Sequence, residues 1–189
     1  MVTFEEQLPA HPAATTPTAL ILPGAGYTTQ APLLYWISSA LVAHGWRLIR
    51  ADWGFRPASL EQGRRLVHDS LETFPGGDVP DLVVAKSIGT FALPWAMTHG
   101  AAGIWLTPLL SESDVAEALN AADDRHVAIG GTADPAWLPS LLTDSHAILH
   151  SVTGANHSLE LPSSWDGSVR EQVPVIQAAV AHAERVRLS

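Results

Sequence analysis

The chain has 189 residues, 47% of them apolar, which fits a single globular domain over residues 1–189 with a core large enough to need no cross-links. A net charge of −9 argues against nucleic acid and anionic membranes as partners, because both require a basic face. The absence of cysteine excludes disulfides and thiolate metal sites.

From the N-terminus, Met1–Pro9 carries acids and neither the basic nor the apolar segment of a signal peptide, so a cytoplasmic location is expected. Val2–Gln7 reads as an edge strand, and the Pro- and Thr-rich Ala10–Thr18 as a connector. Short apolar runs bounded by turn residues then recur: Ala19–Leu22, Arg47–Ala51, Leu82–Ala85, Gly103–Leu106, His126–Ile129 and His146–Val152. Runs this short and apolar fit strands covered on both faces. Helical patterns separate them. Pro32–His44 has apolar residues at Leu33, Ile37, Ala40 and Leu41 and stops at Gly45. Ser59–Phe74 opens with a capping-box-like Ser59-Leu60-Glu61-Gln62. Ile88–His99 follows the third run, and Ser111–Ala122 places acids in its first turn. Ser168–Val186 closes the chain, with Val173, Ile176, Ala179, Val180 and Ala183 as its expected buried stripe and Pro174 in its first turns or at a kink. The alternation predicts an α/β, three-layer, doubly wound and mostly parallel sheet. No apolar run reaches the ~18 residues of a membrane span.

Residues suited to chemistry follow the runs. Ala85-Lys86-Ser87-Ile88-Gly89 lies between a strand pattern and a helix pattern, the context of a nucleophile elbow. The residues two before and two after the serine must be small because the turn brings them together, and they are Ala85 and Gly89. Lys86 reads as a solvated side chain. Pro23-Gly24-Ala25-Gly26-Tyr27 follows the first buried run. Acyl transfer develops charge on the former carbonyl oxygen, which two backbone N–H groups can hold. The expected pair is Ala25 and Ile88. Asp134, in Gly130-Gly131-Thr132-Ala133-Asp134-Pro135, is a carboxylate able to orient an imidazole. Glu112 and Asp114 are its alternatives. His157, in Gly154-Ala155-Asn156-His157-Ser158, is the expected base, since an imidazole serves as base and then acid near neutral pH.

Of the nine histidines, His44 and His99 read as helix C-terminal charges, and His68 and His182 as helix surface. His11 falls in the connector, and His126, His146 and His150 in strand patterns. His146 and His150 would share a strand face but lack a third ligand, so no metal is expected. No cofactor is expected either. Gly24-Ala25-Gly26 is half of a dinucleotide fingerprint, but Thr29 stands where its last glycine belongs. Tyr27, Trp53, Phe55 and Trp137 fall on loops near the expected site and would line a substrate pocket or belong to the core.

The order Ser87, Asp134, His157 is the order of nucleophile, acid and base in α/β-hydrolases. The motifs Pro23–Thr28, Ala85–Thr90, Gly130–Pro135 and Gly154–Glu160 resemble that superfamily over about Thr18–His182, most of all its small, lidless members related to dienelactone hydrolases. Ala85 departs from the usual elbow glycine, and Pro23-Gly24 replaces the usual His-Gly. Thr107–Leu110 is too short for a cap domain. The resemblance implies a carboxylesterase-like serine hydrolase acting on a small-molecule acyl substrate. A non-catalytic binding or scaffold protein on this fold, and an acyltransferase or perhydrolase using the same triad, are the alternatives.

Overall fold

A computed structural model describes residues 2–75 and 77–188. Its strands are β1 (Thr3–Gln7), β2 (Thr18–Leu22), β3 (Arg47–Asp52), β4 (Leu82–Lys86), β5 (Ala102–Leu106), β6 (His126–Gly131) and β7 (Ile148–Val152). They form one seven-stranded sheet in the order β1-β3-β2-β4-β5-β6-β7. β1 pairs antiparallel with β3, and every other pairing is parallel. Helices α1 (Pro32–Ala43), α2 (Leu60–Glu72), α3 (Leu93–His99) and α4 (Ser113–Asn120) connect strands, and α5 (Trp165–Arg187) follows β7.

Side-chain alternation builds the layers. Ala19 and Ile21 of β2, with Leu82 and Val84 of β4, join a core with Leu34 and Leu41 of α1 and Ala179 and Ala183 of α5. Leu20, Leu22, Val83 and Ala85 point the other way, toward Leu66 and Val67 of α2, Leu93 of α3 and Leu119 of α4. The expected three-layer, doubly wound and mostly parallel sheet is therefore the observed one.

Local details differ from expectation. The segment after β4 runs as a 3-10 stretch, Ser87–Ala92, before α3 begins. Pro94 sits in the first turn of α3, where its missing N–H breaks no hydrogen bond. α5 starts at Trp165, capped by the Ser164 side chain, so Pro174 stands well inside it. Pro174 and Arg170 are both exposed, on the side of the helix where a proline's missing N–H costs least. The buried stripe of α5 is Ser168, Val175, Ala179, His182 and Ala183, so Val173 lies outside and His182 inside. Among the described residues, no helix is long and apolar enough to cross a membrane.

The topology fixes where a site can form. From β2 the chain crosses to β3 on one side, then passes back to β4 on the other. The loops leaving β2 and β4 diverge at their carboxyl ends and open a crevice, as a reversal of strand order does in doubly wound sheets.

Candidate active site

Ser87 is the first residue after β4, and its φ is 53°, in the left-handed region that non-glycine residues rarely occupy. The sharp turn brings Gly89 against β2. A β-carbon there would lie 2.7 Å from the Leu22 carbonyl oxygen and 3.0 Å from that of Pro23, so only glycine fits. The Thr90 hydroxyl donates to the Ser87 carbonyl at 2.6 Å and braces the turn.

Asp134 leaves the end of β6 in a tight turn, its N–H donating to the Gly131 carbonyl at 3.0 Å. Its carboxylate is buried. Oδ1 accepts the Ala136 N–H at 2.9 Å, and Oδ2 stands 2.7 Å from His157 Nδ1. The other ring nitrogen, Nε2, is 2.8 Å from Ser87 Oγ. The His157 side chain is 38% exposed and that of Asp134 only 1%, so the acid is dry and the base borders solvent. The three side chains singled out in the sequence thus form one hydrogen-bonded chain. The alternative acids, Glu112 and Asp114, instead bind Arg64.

The histidine loop is organised by Asn156, whose Oδ1 accepts the Ser158 N–H at 2.8 Å and the Glu160 N–H at 3.1 Å. The loop docks on Gly131, where a β-carbon would lie 2.1 Å from the Ala155 carbonyl oxygen. Gly131→Ala should therefore push the histidine loop off the sheet, with a cost of about 1–3 kcal/mol and a larger loss of rate than of stability. Thermal melts and ester hydrolysis check this, and wild-type values for both would refute the close approach.

In the loop after β2, the Gly24 N–H donates to the Tyr27 carbonyl at 2.9 Å. Among the described residues, neither the Ala25 N–H nor the Ile88 N–H donates to another protein group. Gly24 packs on the nucleophile turn, since a β-carbon on it would lie 3.3 Å from Ser87 Cβ. Beside this loop opens a cleft of about 700 Å³, whose lining includes Gly24, Ala25, Tyr27, Trp53, Phe55 and Arg56. Trp53 is buried in its wall and donates to the Pro23 carbonyl at 3.3 Å, while Phe55 is exposed. Trp137 does not line this cleft. It is buried against Gly130, with Nε1 donating to Ser151 Oγ at 2.9 Å. Among the described residues, the cluster with metal-ligand character is His68, Asp69 and Glu72, exposed on α2.

Lys86 is not solvated. It is 1% exposed, and its Nζ donates to Thr107 Oγ1 and to the His157 carbonyl, both at 2.8 Å. Burial lowers its pKa to about 8, partly opposed by the nearby Asp134 and Glu160 carboxylates. Burial likewise raises the Tyr27 phenol to about 12, and its oxygen accepts the Leu33 N–H at 2.9 Å. Sequence reading missed the inward course of Lys86. The signal available was alternation, because Lys86 shares its face of β4 with Leu82 and Val84.

No protein-family model and no curated protein matches the sequence. Solved structures do resemble the fold. Est1E from Butyrivibrio proteoclasticus superposes with a TM-score of 0.73 at 12% identity, over 100% of this chain and 95% of its own. Dienelactone hydrolase from Anabaena variabilis gives 0.67 at 18% identity, over 97% and 91% of the two chains. A serine hydrolase without a lid from Xanthomonas campestris gives 0.60 at 15% identity, over 97% and 88%. The chain therefore has the α/β-hydrolase fold, in its small form without a lid.

Proposed function

We propose that the protein is a serine hydrolase that cleaves small carboxylic esters through Ser87, His157 and Asp134. The observation that carries this reading is the chain of contacts from Ser87 Oγ to His157 Nε2 and from His157 Nδ1 to Asp134, with Ser87 held on left-handed backbone. A helix cap needs neither the ring nor the strained backbone. Two structural neighbours carry serine hydrolase and dienelactone hydrolase in their names, which agrees with ester chemistry.

In this mechanism, His157 Nε2 takes the Ser87 proton as Oγ bonds to the ester carbon. The carbonyl electron pair moves onto oxygen, where the Ala25 and Ile88 N–H groups hold it. Asp134 fixes the ring tautomer and stabilises the imidazolium. Collapse breaks the bond to the alcohol, which leaves with the proton from Nε2. Water then repeats the sequence on the acyl-serine, giving its proton to His157 and releasing the acid and free Ser87. With no lid, water reaches the acyl-enzyme readily, which favours hydrolysis over transfer to another acceptor.

The test is labelling with an alkyl fluorophosphonate and mass spectrometry of the modified peptide. Ser87 Oγ should bond to phosphorus, fluoride should leave, and the adduct should map to Ser87. Folded protein that takes no label would overturn the reading and favour a binding role on this fold.

A further inference from the structure

The mechanism makes no use of Lys86, the most deeply buried cation among the described residues. A buried ammonium is costly unless each of its three N–H donors finds a partner. Here the partners are the Thr107 hydroxyl, the His157 carbonyl and the face of the Tyr27 ring, whose centroid is 4.7 Å from Nζ. Each lies on a different loop. Tyr27 closes the loop that carries Ala25. Thr107 follows β5 at a φ of 45°, an uncommon backbone for a β-branched residue, with its N–H tied to the Ile129 carbonyl of β6 at 2.7 Å. The third partner is the backbone of the histidine itself. Lys86 in turn is the residue directly before Ser87.

We propose that Lys86 is a positioning residue, whose ammonium ties the oxyanion loop, the loop after β5 and the histidine loop to the nucleophile strand and so keeps the His157 ring in line with Ser87. This rests on the triad reading above. His157 stands on a partly exposed loop, and the Lys86 contact fixes its main chain from inside the fold. The charge matters because attraction to the Tyr27 ring vanishes with it. The groups facing the ammonium are Asp134 from the loop after β6, His157 and Glu160 from the histidine loop, and Tyr27 from the oxyanion loop. Asp134 and Glu160 favour the charged form, while burial opposes it. Deprotonation, at about pH 8, should loosen the assembly.

The experiment measures the rate of inactivation by the alkyl fluorophosphonate, a probe that needs no knowledge of the substrate, from neutral to alkaline pH. The wild-type rate should fall as pH rises through about 8. Lys86→Met should inactivate about 10- to 100-fold more slowly, the scale set by a small misalignment of reacting groups, and should lack the alkaline fall. On p-nitrophenyl butyrate the loss should appear in kcat, with KM little changed. Circular dichroism establishes whether Lys86→Met folds. If it does not, the pair Thr107→Val and Thr107→Ser decides. Valine removes the acceptor and should slow labelling several-fold, and serine should restore it. Lys86→Met with wild-type rate and profile, or equal rates in the two Thr107 variants, would overturn this proposal alone. Wild-type protein that takes no label would overturn the triad reading and this proposal with it.

Discussion

Ser87→Ala is expected to lower ester turnover by about 10⁴-fold or more, the scale at which removal of an activated serine acts. Stability should change by less than about 0.5 kcal/mol, because the side chain is small and partly exposed. Alanine keeps the left-handed backbone and the fit of Gly89 under Leu22, so the turn persists without its nucleophile. The three side chains act as one unit, and their losses should not add. His157→Ala should approach the Ser87→Ala rate, and the double variant should be no slower than either single one. Asp134→Asn should keep the shape but present the wrong hydrogen-bonding partner to Nδ1, with a loss of similar order. Michaelis–Menten kinetics on p-nitrophenyl butyrate, with thermal melts on each variant, checks the set. Turnover by Ser87→Ala within about tenfold of wild type would remove Ser87 from the chemistry.

What was legible in the sequence follows from which forces act locally. The buried runs of β2, β4, β5 and β6 announce themselves because strands covered on both faces are apolar over most of their length. The elbow is legible because steric demand on Ala85 and Gly89 leaves a spacing that can be read without a structure. Features set by tertiary packing were hidden. Lys86 resembles any surface lysine until Thr107, Tyr27 and His157, distant in sequence, are seen to meet around it. Trp137 follows a loop that lies beside the histidine loop, yet its ring turns back onto Gly130, where the missing side chain leaves room. The start and the buried face of α5 are not legible locally, because Pro174 points to a start near it and the partners that select the face are distant in sequence. The exposed side of Pro174 lets the helix run through it from Trp165, and the face that packs on the sheet carries Val175, Ala179 and His182, whose Nε2 reaches the Arg125 carbonyl.

That inward-facing His182 gives the second large effect, a loss of stability in mild acid. His126 on β6 and His182 on α5 are each 4% exposed. Trp105 Nε1 donates to His126 Nδ1 at 3.1 Å, and His182 Nε2 lies 3.0 Å from the Arg125 carbonyl, to which it donates. The Trp105 bond needs a neutral His126 ring, and the Arg185 guanidinium 3.2 Å from His182 Nδ1 likewise favours a neutral ring there. Burial lowers both pKa values to about 4, helped by Arg125 at His126 and by Arg185 at His182. In the unfolded chain both titrate near the ordinary histidine value of about 6.5. The unfolded state therefore binds more protons between those limits, and stability falls as pH drops from about 6.5 toward 4. Each ring contributes about 3 kcal/mol over that window. Against the roughly 5–15 kcal/mol that holds a domain folded, this is enough to bring unfolding into reach before the carboxylates titrate. Urea midpoints measured across that range should fall steeply in the wild type. They should fall less in His126→Asn/His182→Gln, where the amides keep an acceptor for Trp105 and a donor for Arg125 without a titrating ring. A flat wild-type profile, or an equal slope in the double variant, would place the acid sensitivity elsewhere.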